Sequence, residues 1–152
     1  MNKIVLALLL LCGCGPTTYG LVFDNSEDPK VLAMETAIVL DEWDTLVGVR
    51  HPWPLYLLGD GSETWDPGAL GICERVGLHR EIRLNMDAIR MVKPVDRVFR
   101  HVLFHELYHA EATCSDKDHS SDPKNLMYPY TTKENLEALP DAAQRFAIGE
   151  AP

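Results

Sequence analysis

The chain has no run of basic residues and no basic helix, and its 14 Lys and Arg are outnumbered by 23 Asp and Glu, for a formal net charge of −9. That balance argues against nucleic acid as a partner and against electrostatic adhesion to anionic lipid. Long apolar runs are missing as well. The longest, IVLALLLL at 4–11, is far short of the roughly 20 residues a membrane-spanning helix requires. There is no internal repeat and no low-complexity tract. Cysteine is scarce, at four in 152 residues. What remains is 46% hydrophobic and 24% charged, the composition of one globular domain.

The N-terminus stands apart from that domain. MNK carries one positive charge, IVLALLLL follows, and CGC makes a small-residue break, which together read as a secretory signal over residues 1–13. Leu11-Cys12-Gly13-Cys14 resembles a bacterial lipobox, with Cys14 as the lipid-bearing residue; simple secretory cleavage is the other reading. Residues 14–27 then form a lipidated tether and 28–152 the folded domain. Loss of 13 residues leaves 152 − 13 = 139 and a charge of 13 − 23 = −10. The expected location is the bacterial cell envelope, by lipid anchor, or outside the cell. Cys73 and Cys114 remain in an oxidising space, either as a disulfide or as two separate buried thiols.

Along the domain, at most one strand is expected around Tyr19 to Phe23. Asp28-Pro29 starts a helix, with Leu32, Thr36, Val39, Trp43 and Leu46 as its buried stripe and a stop near Gly48. Trp43 is therefore expected in the core. Strands are expected at PLYLL (54–58), ALGIC (69–73) and REIRLNM (80–86), with a turn-rich GDGSETWDPG between the first two. Pro94 precedes a helix of about 18 residues, a loop spans roughly 113–131, and a short helix follows Pro140 with Ala143, Phe146 and Ala147 inward. Helix, three strands, helix, loop and helix describe an α+β fold.

The chemistry lies in His105-Glu-Leu-Tyr-His109. On a helix, residues four apart differ by about 40° and aim two imidazoles at one point. Glu106, beside the first histidine, suits a general base toward water activated by zinc. Two histidines on a surface helix are the plainer reading of that motif alone.

Downstream, His119-Ser-Ser-Asp-Pro-Lys-Asn-Leu-Met127-Tyr-Pro129 resembles the end of the active-site signature of the matrixins, a branch of the metzincin zinc peptidases. The resemblance covers roughly residues 95–149. It implies a small metzincin-like zincin domain: a twisted, mostly parallel sheet with an antiparallel edge strand, an active-site helix, a Met-turn and a C-terminal helix. It further implies a zinc metallopeptidase in which His105, His109 and His119 bind zinc, Glu106 is the general base and Met127 forms the floor. Thioethers are poor zinc ligands beside imidazole, so Met127 is a support. ALGIC (69–73) falls where the family has the edge strand that pairs with an extended peptide.

The match has departures. The family places six positions between its second and third histidines, counted from one to the other, whereas His109 to His119 is ten. The family glycine at the helix exit is Ala112 here. Asp116 and Asp118 are therefore rival third ligands, with His119 favoured by donor softness and by the string that follows it. A Cys73–Cys114 bridge would brace the inserted loop.

Asp60, Glu63 and Asp66 fall in a loop comparable to one where matrixins often carry calcium, but their spacing fits no defined calcium loop and a solvated turn is expected. His101 is expected to be structural or solvent-facing, His51 and His79 to be surface residues, and Tyr128 and Tyr130 to pack under the site, with contact to the oxyanion as the other reading. A peptide or protein substrate is the expected partner, for a monomer attached to membrane only through its lipid. The alternative class is a non-catalytic, zinc-stabilised envelope binding module, which would have no need of Glu106.

Overall fold

The computed structural model describes residues 4–10, 17–23, 29–47, 53–59, 64–76, 79–112, 114 and 119–137. In chain order these form β1 (Ile4–Leu10), β2 (Thr17–Phe23), α1 (Pro29–Val47), β3 (Leu55–Leu58), β4 (Gly71–Val76), β5 (His79–Asn85), α2 (Met86–Met91) and α3 (Val95–Glu111). The fold is α+β, with strand order β1-β2-β3-β5-β4. β2–β3 and β3–β5 pair in parallel, while β1–β2 and β4–β5 pair antiparallel. The sheet is thus evenly mixed rather than mostly parallel. β1, drawn from the segment expected to be a signal, contributes one of the two antiparallel pairs.

α3 is the central element. Val98, Phe99, Val102, Leu103, Phe104, Leu107 and Ala110 are all buried, so the helix is apolar on most of its circumference and packs between α1 and the β4–β5 hairpin. α1 meets it through the expected stripe: Thr36, Val39 and Trp43 are buried, and the Trp43 ring sits edge-on to Phe104 with centroids 5.3 Å apart. An Arg100–Glu42 ion pair also joins the two helices, but both side chains are about one-third exposed. Such a pair contributes about 0–1 kcal/mol, against about 1.5–3 kcal/mol for each large apolar side chain fully buried. Apolar packing therefore holds α1 on α3.

Two boundaries differ from expectation. The strand expected to run through Met86 ends at Asn85, whose side chain accepts from the Ala88 N–H at 3.0 Å and starts α2. Six residues are too few to display helical periodicity, so the cap was the only local signal. The strand expected at 69–73 begins at Gly71, because Ala69 and Leu70 are held instead by Asn85. Its N–H donates to the Leu70 carbonyl at 2.8 Å and its Nδ2 to the Ala69 carbonyl at 3.2 Å. Residues 133–137 form a short helical turn. Its first turn is fixed reciprocally: the Thr132 N–H donates to Asn135 Oδ1 at 2.9 Å and the Asn135 N–H to Thr132 Oγ1 at 3.2 Å. The helix expected after Pro140 lies outside the described residues.

Candidate metal centre

His105 and His109 lie one turn apart near the C-terminus of α3, and the chain returns so that His119 joins them. Their Nε2 atoms converge: His105 to His109 is 3.1 Å, His109 to His119 is 3.1 Å, and His105 to His119 is 3.2 Å. Three imidazoles with nitrogens this close can hold a metal ion. Asp116 and Asp118 lie outside the described residues.

The chain that carries His119 is folded largely by its own short polar side chains. Ser120 Oγ accepts from the Asp122 N–H at 3.1 Å, Asp122 Oδ1 from the Lys124 N–H at 2.9 Å, and Asn125 Oδ1 from the Met127 N–H at 2.8 Å. These local bonds are why Ser, Asp and Asn stand at those positions. The Ser120 N–H then donates to the Met127 carbonyl at 2.8 Å, fastening the third histidine's neighbour to the turn. Leu126 and Met127 are buried in the core.

One bond sets the first histidine's tautomer. A carbonyl can only accept, so His105 Nδ1–H donates to the Leu126 carbonyl at 2.8 Å and leaves Nε2 with its lone pair toward the cluster. Burial, the largest cause, pushes the His105 pKa down to about 3; the Leu126 bond acts the other way, and neighbouring histidines add to the depression. His105 is therefore neutral, the form that ligates metal.

Glu106 is 5% exposed and lines the same cleft as the three histidines. The cleft encloses about 670 Å³ and runs from Gly71–Cys73 of β4 across α3 to Tyr128–Thr131. Among the described residues, its lining beyond the histidines and Glu106 has no Lys, Arg or Asp. Met91 and Tyr130 stand exposed at its rim.

The helix exit differs from the glycine exit of the resembling family. Ala112 keeps a negative φ, and the left-handed residue is Cys114 at φ 49°, with its N–H bonded to the His109 carbonyl at 2.8 Å. Arg80 donates to the Ala110 carbonyl, satisfying another end-of-helix acceptor. Cys114 is joined by a disulfide to Cys73 of β4, which fastens the start of the loop to the cleft strand.

His101 is not solvent-facing. It is 2% exposed, lines the cleft, and its Nδ1 has no hydrogen-bond partner among the described residues. Burial holds its pKa down at about 4. His79 is exposed, as is Asp66; His51, Asp60 and Glu63 lie outside the described residues. Tyr128 and Tyr130 form an edge-to-face pair at the cleft wall, 5.8 Å between centroids. The Leu126 carbonyl and Gly71 were not identifiable from the sequence, since a backbone oxygen and a missing side chain carry no motif.

Comparison with protein-family models, with curated proteins and with solved structures finds no match to this chain.

Proposed function

We propose that the protein is an exported zinc metallopeptidase of metzincin type, hydrolysing peptide bonds with Glu106 as general base. The observation that carries this reading is the convergence of three histidine Nε2 atoms in a cleft that Glu106 also lines. Donors about 2.0–2.1 Å from a tetrahedral ion stand about 3.3 Å apart, and the spacings here are 3.1–3.2 Å. An all-imidazole set with converging Nε2 atoms suits zinc and leaves a position for water and substrate.

His105, His109 and His119 would hold the zinc, which supplies a Lewis acid toward water and a peptide carbonyl. Glu106 accepts the proton of the attacking water as the new C–O bond forms. The same carboxyl then passes that proton to the amide nitrogen as the C–N bond breaks, so the base ends each cycle as it began. The cleft runs alongside β4, which is outermost in the strand order among the described residues, and so suits an extended peptide. Export rests on the sequence of residues 1–14, with lipid at Cys14, and agrees with a disulfide, a bond at home in oxidising compartments.

The test is elemental analysis and peptide-library cleavage by the wild type, Glu106→Gln and alanine variants of His105, His109 and His119. One zinc per chain is expected in wild type and Glu106→Gln, with turnover only in the wild type. Each histidine variant should lose the metal, whereas Asp116→Ala and Asp118→Ala keep it. Stoichiometric zinc without turnover in the wild type would replace this reading with a zinc-stabilised binding module.

A further inference from the structure

Gly71 opens β4 opposite Leu84 of β5. Among the described residues the positive-φ glycine is Gly68, so the backbone at 71 has a conformation any residue adopts. Glycine weakens a strand interior through backbone entropy and the loss of a packing side chain. Its presence here answers to space. A Cβ built on Gly71 would lie 2.7 Å from Glu106 Oε1, 2.8 Å from Glu106 Cγ and 2.9 Å from Val102 Cγ1. Unbonded carbon atoms prefer about 3.5–4.0 Å, so one added methyl is too much for the seat.

Which partner yields is decided by what holds each. β4 is fixed before Gly71 by the bonds from Asn85 to Ala69 and Leu70, and two residues after it by the Cys73–Cys114 bridge. Val102 is buried in the core on α3. Glu106 has the longest side chain among them, and its tip makes the closest approach.

We propose that Gly71 is a positioning residue for Glu106: its missing side chain is the slot that seats the carboxylate in the cleft shared with the histidine cluster. The catalytic consequence rests on the hydrolase reading above; the contact itself does not. A 1 Å displacement of a reacting group is enough to cost about 10²-fold in rate.

Two measurements on full-length, zinc-loaded protein test the proposal. The first is thermal melting of wild type, Gly71→Ala, Glu106→Ala and the double variant. Gly71→Ala should lower Tm by several degrees alone and by less than half as much once Glu106 is alanine. Equal losses in both backgrounds overturn the proposal. If Gly71→Ala does not fold, recovery of folding in the double variant supports it and failure of both overturns it. The second is kinetics of Gly71→Ala, where one zinc is retained, kcat falls about 10²-fold and KM stays within about threefold. An unchanged kcat overturns the positioning role. A wild type without turnover refutes the hydrolase reading, while the melting cycle still decides the contact.

Discussion

His105 of α3 and Leu126 of the methionine turn are joined by one hydrogen bond, Nδ1–H to carbonyl oxygen, at 2.8 Å. Through it a stretch 21 residues away fixes both the tautomer and the aim of one of the three clustered imidazoles. The carbonyl is held in turn by its neighbours: the Met127 N–H is bound to Asn125 Oδ1 and the Met127 carbonyl to the Ser120 N–H. The turn supports the site through its backbone as much as through the Met127 side chain.

Asn125→Ala should therefore act on the metal site without touching a ligand. Losing the part-buried acceptor at 2.8 Å leaves the Met127 N–H without its partner and should cost about 1–3 kcal/mol in stability. With the Leu126 carbonyl no longer fixed, zinc affinity should fall about 10-fold or more. Competitive titration against a chelating dye, beside urea unfolding, measures both. Unchanged affinity at reduced stability would show that the turn folds independently of the ligand it touches.

The disulfide spans 41 residues and ties β4 to the start of the loop that leads to His119. Replacing Cys73 and Cys114 together by serine should destabilise the protein by about 3–4 kcal/mol on the loop-entropy account. It should also weaken zinc binding, because that loop then loses an anchor between the second and third ligands. Urea unfolding and dye competition on the double variant check the two effects. Equal zinc affinity in both proteins would mean that the local bonds of residues 120–127 suffice.

Much of this was legible in the sequence, for physical reasons. Trp43 and the apolar positions of α3 recur with the helical period, and that period is imposed by burial on one face. His105, Glu106 and His109 are readable because a helix converts spacing into direction. The α2 boundary was hidden because six residues show no period and only the Asn85 cap marks it. The role of Gly71 was hidden for a different reason: its meaning lies in the approach of α3 across 35 positions of sequence. Of the two places expected for His101, structural or solvent-facing, the buried one is found, and residues of β4 and α2 line the same cleft.

His101 carries the last prediction. A buried imidazole whose Nδ1 lacks a hydrogen-bond partner among the described residues disfavours protonation, and burial takes its pKa from 6.5 to about 4. The folded pKa lies below the unfolded one, so the sign follows directly. Above 6.5 neither state is protonated and stability is at its full value. Between 6.5 and about 4 the unfolded chain takes up a proton that the folded one refuses, and stability falls as pH falls. Below about 4 this contribution levels off, after a total loss of about 3 kcal/mol at 1.36 kcal/mol per pKa unit. His101→Leu removes the titration and the orphaned nitrogen together. At pH 8 the variant should equal or exceed the wild type, since exchanging a buried unsatisfied polar group for an apolar one is neutral or stabilising. On acidification its advantage should grow by about 3 kcal/mol down to pH 4. Urea unfolding in the presence of a chelator, from pH 8 to pH 4, measures the difference. The chelator puts both proteins in the metal-free state, and the largest part of the His105 contribution, which comes from burial, is common to both and cancels in the subtraction. Stability curves that stay parallel through that window would mean that His101 titrates alike in the folded and unfolded chains, and its burial would then have another account.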